Sequence, residues 1–593
     1  MSFYTGKLLR IDLRQGRSCV EPIRTDWTEL YVGGKGILYR YLFDELAPGV
    51  APLSEDNPFM VFTGPFAGTT APACSRIVVG CKSPATGTIL DSYVGGSFGP
   101  ELKFAGYDGV ILTGRWREPV VILISDSTVR FVPARPHYWG MRTSEIEEAL
   151  RADFDAHAKV LSIGPAGESL LPWACVSTDQ YHKAGRGGAG AVLGAKNVKA
   201  IAVRGTGAVE VPNARTFLSD MVRVHDRHLN SAENLWGYEE GTPFLVDAMA
   251  GAGALPTRNF TSGSFAGAGK INSAALLAKR VKNRSCTQCL IACRQFHAFK
   301  DFSTEGPEYE TLALCGANCG IGDLDAVARF NLECDELAMD TISTGNVVAL
   351  AMDLRERGVV DLGLRFGETA GYLDAPRLIA YRLGVGAQLA LGARDLAYNW
   401  GRPELAAEVK NLEMPGYDPR GSFGMSLAYA TSERGACHMR AYPIGEEILS
   451  GGLPQHSLSG KAAWIIGAQD FCSVSWTGIW CSNWATDPSQ LASMFGHLWQ
   501  RDEVEEGEVL RIGERIWNLG RLLNVREGYR GVEDTLPLRF LSESLVDGAS
   551  AGKVIHEMAL TDAVYEYYSL RGWDKHGVPT EAKLAEVGVD VRV

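Results

Sequence analysis

The first third of the chain alternates short apolar runs with turns rich in glycine and proline. Four five-residue runs contain many β-branched and aromatic residues, which predicts strands at 59–63, 76–80, 109–113 and 120–124. From about residue 211 the apolar positions recur with helical spacing, as in 323–334, and a turn-dense break at 415–421 divides this part in two. The pattern predicts an α+β protein with a β-rich domain over 1–210 and mainly α-helical domains over 211–415 and 416–593.

Composition is that of a globular protein with more than one domain. The chain has 593 residues, of which 46% are hydrophobic and 22% are charged. Its net charge of -12 argues against nucleic acid as a ligand, because binding phosphates needs a basic face. We expect no transmembrane span and no secretory signal. Thirteen cysteines, partly clustered, predict a reducing, cytoplasmic location.

Three cysteines dominate the candidate chemistry. Cys286, Cys289 and Cys293 have the spacing C-x2-C-x3-C, and Cys481 is a candidate fourth ligand far downstream. Closely spaced thiolates with one more from a distance suit an iron–sulfur cubane, in which each iron takes one protein sulfur. A zinc site and a set of buried thiols without metal are the alternatives at this point.

Four glycine-rich segments are the second candidate site: 33–36, 64–68, 93–100 and 184–190. They contain no Walker A motif, and a Rossmann fingerprint is weak. Glycine lets backbone amides approach an anionic ligand, and Arg76 and Arg186 could add charge there. Tight turns in a β-domain are the alternative for each segment. Four such segments together favour one large anionic ligand.

The ordered motifs along the chain resemble those of the tungsten (or molybdenum) aldehyde:ferredoxin oxidoreductase family. They lie at 33–36, 102–109, 183–194, 305–311 and 428–438, together with the cysteine set. The resemblance implies a metal held by the dithiolenes of two pyranopterins, a [4Fe–4S] cluster beside one pterin, and Mg²⁺ bridging the pterin phosphates. It also implies an N-terminal domain of two β-sheets that cradles the cofactor, followed by two mainly α-helical domains.

The resemblance assigns ligands by position. Cys286, Cys289, Cys293 and Cys481 match the cluster ligands, with Cys472 as the competitor of Cys481. The family's pterin motif D-x-x-G-L-[D/C] falls on 335–340, with Ala338 in place of glycine, and on 476–481, where the leading aspartate is missing. The implied cofactor-binding residues are Arg76, Gly95, Gly96, Arg186, Gly187, Gly188, Asp335, Asp340, Arg440 and Gly478.

Glu310 and His438 match the family's proton-handling residues. Oxidation of an aldehyde to an acid releases two protons, so a carboxylate that takes a proton from water and a histidine that bonds the carbonyl oxygen suit the reaction. Glu308 is the alternative carboxylate. None of the eleven histidines has glutamate three positions before it, so we expect no metal of the kind that bridges two subunits in some family members.

The sequence therefore predicts reversible oxidation of aldehydes to carboxylic acids, with electrons passing through the cluster to ferredoxin or a partner subunit. Tungsten and molybdenum are not distinguished. One alternative is a reductase of aromatic thioesters of the benzoyl-CoA type, for which one of four further cysteines would ligate the metal: Cys315, Cys319, Cys334 or, most informatively, Cys437. Another is a non-catalytic subunit that relays electrons, which would not need Glu310 and His438.

Overall fold

A computed structural model describes residues 3–484 and 486–590, except for the side chains of residues 232–234. The predicted fold class is confirmed: two six-stranded sheets form the N-terminal part, and helices dominate the rest. The strands of the two sheets are β1 Lys7–Asp12, β2 Arg17–Pro22, β3 Phe59–Phe62, β4 Ile77–Lys82, β5 Ile89–Val94, β6 Gly109–Thr113, β7 Val120–Ser125, β8 Thr128–Pro133, β9 Lys159–Ser162, β10 Val176–Thr178, β11 His182–Ala184 and β12 Val198–Arg204. The four runs predicted as strands correspond to β3, β4, β6 and β7.

The two sheets have a mixed topology. The first has the order β2-β1-β6-β3-β4-β5 and the second the order β11-β10-β9-β12-β7-β8. In each sheet one pair is parallel, β1 with β6 and β7 with β12, and the other pairs are antiparallel. Because side chains alternate between the faces of a strand, Leu9 and Val61 pack towards the second sheet while their neighbours Leu8 and Met60 pack towards helices. Both faces of the first sheet are therefore buried.

Helices make up most of the remaining chain. Their bounds are α1 Thr25–Tyr31, α2 Gly34–Glu45, α3 Phe98–Phe104, α4 Thr143–Asp153, α5 Pro165–Glu168, α6 Ala189–Ala195, α7 Ala214–Leu229, α8 Ala232–Glu239, α9 Leu245–Ala252, α10 Ser273–Leu277, α11 Tyr309–Thr311, α12 Leu324–Leu337, α13 Thr341–Glu356, α14 Ala375–Ala380, α15 Gly386–Leu389, α16 Ala393–Asn399, α17 Phe423–Thr431, α18 Lys461–Thr477, α19 Pro488–Trp499, α20 Glu506–Arg526, α21 Leu538–Ser542, α22 Glu557–Arg571 and α23 Glu581–Val587. No helix in the described part of the chain is long and apolar enough to cross a bilayer.

The region predicted to be mostly helical also contains a small antiparallel sheet, β13 Arg280–Arg284, β14 Arg294–Ala298 and β15 Ser303–Glu305, and a hairpin of two short strands, β16 Glu408–Val409 and β17 Leu412–Glu413. The loop between β13 and β14 carries the three closely spaced cysteines. This sheet therefore positions the cysteine loop.

Helix α2 packs between the first N-terminal sheet and the C-terminal helices. It packs with its apolar residues against the first sheet, α18 and α20, so that Ile37 shares a hydrophobic core with Met60 and Ile516. Thr477 at the end of α18 accepts a hydrogen bond from the backbone N–H of Gly36 at 2.8 Å. The two predicted domain boundaries stay predictions, but the C-terminal helices close over the N-terminal sheets.

Candidate functional site

Two adjoining cavities lie where the N-terminal sheets meet the helical regions. The larger has a volume of about 810 Å³ and is lined by the four candidate cluster cysteines together with Arg76, Gly95, Glu310 and His438. The smaller has a volume of about 300 Å³ and shares Arg76, Glu310 and His438 with the larger. Most of the predicted site residues, which come from distant parts of the sequence, thus converge on one place.

The backbone brings Cys481 to the cysteine loop. The N–H of Ala73 donates to the carbonyl of Gln288 at 3.0 Å, and the carbonyl of Ala73 accepts the N–H of Cys481 at 3.0 Å. Gln288 and Ala292 both have left-handed φ angles, of 55° and 44°, which turn the loop around its cysteines. One residue of the N-terminal domain therefore links both sources of thiols.

The four thiols fit a cationic cluster better than a single ion. Burial raises the pKa of Cys289 to about 12 and also raises the pKa of Cys286 and Cys293, so these thiols stay protonated unless a cation binds them. Among the described residues, no three histidine, cysteine or acidic side chains are placed to hold one metal ion. Four thiols spread around a large cavity leave room for a cluster of several atoms.

Arg76 connects the thiols to the smaller cavity. Its Nη2 donates to the sulfur of Cys481 at 2.9 Å, whereas its Nε is buried and has no hydrogen-bond acceptor among the described residues. Because an unsatisfied buried donor is costly, this guanidinium fits an anionic group in the cavity.

Two other cysteines lie near this set. Cys472, on α18, lines the larger cavity, but the charged groups that act most on it are Arg440 and Lys35, not the loop thiols. Cys74 is buried beside Cys289 and Cys481. Burial is the main cause of its raised pKa, and these two cysteines add to it. Cys74 had no predicted role, since a single cysteine in an apolar stretch carries no sequence signal. Because the charged groups that act on Cys472 are mainly Arg440 and Lys35, its placement favours Cys481 over Cys472 as the fourth ligand.

The smaller cavity is lined by charged side chains of both signs. Five are cationic, Arg76, Lys183, Arg186, Arg294 and Arg434, and five are acidic, Glu305, Glu308, Glu310, Asp335 and Asp340. The guanidinium groups fit an anionic ligand such as a phosphorylated pterin, because they bind phosphate oxygens well.

The first predicted pterin motif lies in this cavity. Lys183 lies 3.5 Å from Asp335, and Arg186 lies 3.4 Å from Asp340. Asp340 also accepts the N–H groups of Ile342 and Ser343 and so caps α13. Ala338, which replaces the usual glycine, has a left-handed φ of 56° at the end of α12, so the backbone keeps the conformation that glycine favours.

The predicted glycines divide into two pairs. A Cβ on Gly95 would lie 2.8 Å from the Cys286 sulfur, and one on Gly96 would collide with the Asp179 carboxylate, so this turn must pass close to the cysteine loop. Gly187 and Gly188 instead face Leu90 and Pro172 and do not line either cavity. The second pair thus lies where chain segments pack closely, and its contact with the cofactor stays a prediction.

Gly478 and Arg440 are also placed behind the cavities. A Cβ on Gly478 would lie 3.0 Å from the ring of Trp480. The guanidinium of Arg440 is fully buried, pairs with Asp91 and Glu433, and lies 4.5 Å from the centre of the Trp476 ring. Neither residue lines either of these two cavities, and their contact with the cofactor stays a prediction.

Arg440 belongs to a buried ionic network that the sequence did not predict. Lys35 pairs with both Asp91 and Glu433, and the Tyr39 and Tyr93 hydroxyls donate to Asp91 at 2.9 Å and 2.7 Å. Burial opposes the charge on Asp91, but Arg440 and Lys35 outweigh it and lower its pKa to about 2. The glycine-rich segment around Lys35 thus packs between the N-terminal sheet and the C-terminal helices and does not line either cavity.

Glu310 and His438 form a pair at the junction of the cavities. Glu310 Oε1 lies 3.5 Å from His438 Nε2, and Glu310 Oε2 accepts the N–H of Gly416 at 2.8 Å. Glu310 is on α11, which continues into a π-helical turn at Leu312–Gly316, a distortion that is frequent at functional sites. Burial raises the pKa of Glu310 to about 8, and burial with the nearby Arg186 lowers the pKa of His438 to about 3.

These pKa values define the resting protonation state at neutral pH. Glu310 carries its proton and His438 is neutral, so the acid can donate a hydrogen bond to the imidazole. Glu308 lines both cavities too, but its carboxylate accepts a hydrogen bond from Thr242 and lies outside this pair. The geometry favours Glu310 over Glu308 as the group that exchanges a proton.

Cys437 directly precedes His438 but bonds to neighbours in its own loop. Its sulfur accepts from Arg434 Nη2 at 3.1 Å and from the N–H of Met439 at 3.4 Å. Burial raises the pKa of this thiol, but Arg434 and Arg440 outweigh burial and lower the pKa below its ordinary value. Cys437 does not line either cavity, and neither do Cys315, Cys319 and Cys334.

Comparisons with known proteins cover almost the whole chain. Residues 8–205 match the model "Aldehyde ferredoxin oxidoreductase, N-terminal domain", and residues 221–589 match "Aldehyde ferredoxin oxidoreductase, domains 2 & 3". The chain is 38% identical to the tungsten-containing aldehyde ferredoxin oxidoreductase of Pyrococcus furiosus, over 98% of each chain. It is 37% identical to the protein of the same name from Thermococcus kodakarensis, again over 98% of each chain.

A more distant relative and a solved structure complete the comparison. The WOR-like subunit of an aliphatic sulfonate oxidoreductase from Pyrococcus furiosus is 27% identical, over 99% of this chain and 97% of that one. The active site complex BamBC of benzoyl coenzyme A reductase, solved with 1,5-dienoyl-CoA, superposes with a TM-score of 0.86 at 22% identity, over 99% of this chain and 97% of that one. At that identity the superposition establishes the shared fold.

Proposed function

Because the chain belongs to the aldehyde ferredoxin oxidoreductase family, it is an oxidoreductase, and we propose that it oxidises aldehydes to carboxylic acids with a tungsten or molybdenum bis-pterin cofactor. The observation that carries the proposal is the convergence of four thiols, an arginine-lined cavity and the Glu310–His438 pair around connected space. Electrons would leave through one [4Fe–4S] cluster to ferredoxin or a partner subunit.

Residues on both sides of the Glu310–His438 pair would hold the cofactors. Cys286, Cys289, Cys293 and Cys481 would ligate the cluster, and Arg76 would lie between the cluster and one pterin. Lys183, Arg186, Asp335 and Asp340 would hold the pterin and phosphate groups in the smaller cavity, where we also propose Mg²⁺ between the phosphates. When bound, the metal–pterin group supplies the two-electron redox chemistry.

The protein's own task is to move protons and position the carbonyl. An aldehyde and water yield a carboxylic acid, two protons and two electrons. The Glu310 carboxylate, once deprotonated, takes a proton from water as the oxygen attacks the carbonyl carbon. His438 is neutral, so it can donate one ring N–H to the oxygen on which negative charge develops. The ring of Tyr417, centred 5.5 Å from that of His438, forms part of the wall around the reacting group.

The alternative reading as an aromatic-thioester reductase has less support. That alternative depends on one of four additional cysteines as a metal ligand. However, the Cys315 thiol donates a hydrogen bond to the carbonyl of Thr341 at 3.3 Å, and the Cys437 sulfur accepts one from Arg434. The retained Glu310–His438 pair likewise argues against a subunit that only relays electrons.

The test is elemental analysis of anaerobically purified protein, combined with dye reduction by a panel of aldehydes. We expect about one tungsten or molybdenum and four irons per chain, with viologen reduction that depends on aldehyde. A fully metallated protein that reduces no dye with any aldehyde, but reduces an aromatic thioester, would overturn the proposal.

A further inference from the structure

Positive charge is concentrated around the cysteine loop. Residues 279–300 contain six cationic residues and no aspartate or glutamate, although the chain as a whole has a net charge of -12. The six are Lys279, Arg280, Lys282, Arg284, Arg294 and Lys300. A basic segment in an acidic protein creates a local field that attracts acidic partners.

Three of these cations, Arg280, Lys282 and Lys300, are exposed and pair with no carboxylate among the described residues. Lys279 pairs with Asp325 at 3.1 Å, while Arg284 and Arg294 share the buried Glu305. Among the described residues, no carboxylate pairs with Arg280 or Lys282, and both side chains are exposed on β13. Since β13 is the outer strand of its sheet, these charges face solvent.

Exposed apolar side chains belong to the same segment and to the end of α8, where the Tyr238 carbonyl accepts a hydrogen bond from Arg280. Val281 is 60% exposed, Tyr238 54% and Leu290 41%. The amide of Asn283 donates to the carbonyl of Tyr238 at 2.7 Å and to the carbonyl of Ala292 at 3.0 Å, which ties the end of α8 to the cysteine loop. We call the surface formed by Tyr238, Arg280, Val281, Lys282 and Leu290 the β13 face.

We propose that the β13 face is the docking site for a small acidic electron-transfer protein. The inference rests on the proposed function, because the cluster between Cys286 and Cys293 is the point from which electrons leave. Leu290 directly follows Cys289, so a partner on this face would sit against the cluster loop. Each aldehyde oxidised releases two electrons, so two molecules of a one-electron acceptor would be reduced there in succession.

The composition of the face matches a transient interface. Such interfaces combine an apolar centre with a charged rim, and opposite charge on the partner raises the association rate more than the final affinity. Leu290, Tyr238 and Val281 provide the centre, and Arg280 and Lys282 provide the rim. An acidic partner is attracted to this face even though the rest of the protein repels it.

The test compares two electron acceptors in the loaded enzyme. For Lys282→Glu and Tyr238→Glu we expect kcat/KM for an acidic [4Fe–4S] ferredoxin to fall by about tenfold or more at low ionic strength. Methyl viologen, which needs no docking site, should be reduced at the wild-type rate, and the cluster signal in electron paramagnetic resonance should be unchanged. Tyr238 is a suitable position because its carbonyl, not its ring, holds Arg280 and Asn283.

Arg394→Glu is the matched control, since its side chain is 51% exposed and lies outside the β13 face. This variant should leave kcat/KM for the ferredoxin unchanged. Added salt should reduce the difference in kcat/KM between wild type and Lys282→Glu, because it screens the charges. Unchanged ferredoxin kinetics in both face variants, an equal loss in Arg394→Glu, or a parallel loss with viologen would each overturn the docking site.

A direct binding measurement separates this proposal from the proposed function. Calorimetric titration of the metallated protein with the same ferredoxin needs no turnover, and Lys282→Glu should weaken binding at low salt. If wild type reduces no dye with any aldehyde, the proposed function fails, while the titration still decides whether the β13 face binds the acidic protein.

Discussion

The rate of aldehyde oxidation should rise steeply with pH up to about pH 8. Burial raises the pKa of Glu310 to about 8, and the base form of this group is the active one in the proposed reaction. At pH 6 only about one molecule in a hundred carries the carboxylate, so kcat/KM should be about a hundredfold below its plateau and rise about tenfold per pH unit. His438, with a pKa of about 3, stays neutral throughout and adds no second limb in this range.

The assay is anaerobic viologen reduction between pH 6 and 9, with metal content measured in every sample. Glu310→Gln keeps a side-chain oxygen for the N–H of Gly416 but removes the base, so the plateau rate should fall by about 10²–10⁴-fold and the pH dependence should disappear. Glu308→Gln is the matched control, because it changes a second carboxyl group of the same cavity and should retain the rising limb.

Thermal stability provides a readout of Glu310 that does not depend on turnover. A carboxyl whose pKa is raised in the folded state contributes stability that is fully present below its unfolded pKa and is lost as pH rises through about 8. The melting temperature of Glu310→Gln should therefore rise relative to that of wild type as the pH is increased from 6 to 9. A flat rate profile together with equal melting temperatures across this range would refute the assignment of the base.

Three further predictions concern residues around the same cavity. His438→Ala should lower kcat by about 10²-fold or more at unchanged metal content, as measured in the viologen assay, and a wild-type rate would exclude His438 from the reaction. Cys481→Ser should alter or abolish the cluster signal in electron paramagnetic resonance, whereas Cys472→Ser should leave it intact; the reverse result would exchange their roles. Cys437→Ser should change neither the turnover of aldehydes nor the metal spectrum, because its sulfur faces Arg434, and a changed metal spectrum would support the thioester-reductase alternative.

Local sequence patterns predicted the β-rich part well but missed the small sheet that carries the cysteines. The run that forms β7 is apolar and β-branched, and both of its faces are buried, so the pattern and the structure agree. Strand β13 contains three cations in five residues and lies at a sheet edge, so it lacks the apolar alternation that marks a strand. Its strand conformation depends on pairing with β14, which a local pattern does not contain.

The site required information beyond local patterns. Cys481 lies 188 residues after Cys293, and the hydrogen bonds of Ala73 to both segments help to bring it to the loop. The motif resemblance supplied that assignment, as it did the choice of Glu310 over Glu308. Lys35 shows the opposite case: its glycine-rich surroundings suggested a ligand loop, whereas its partners Asp91 and Glu433 make it part of a buried ionic network.

The packing of α2 against α18 can form only late in synthesis of the chain. Gly36 and Thr477, which bond to each other, are separated by 441 residues. At about 5–20 residues per second, a ribosome needs roughly 20–90 s to make the second segment after the first. During that interval the nascent N-terminal sheets lack their helical cover, and the cavities where sheets and helices meet are open on one side. We therefore expect a bulky prosthetic group to have its freest access in this interval, before the last helices emerge and enclose it.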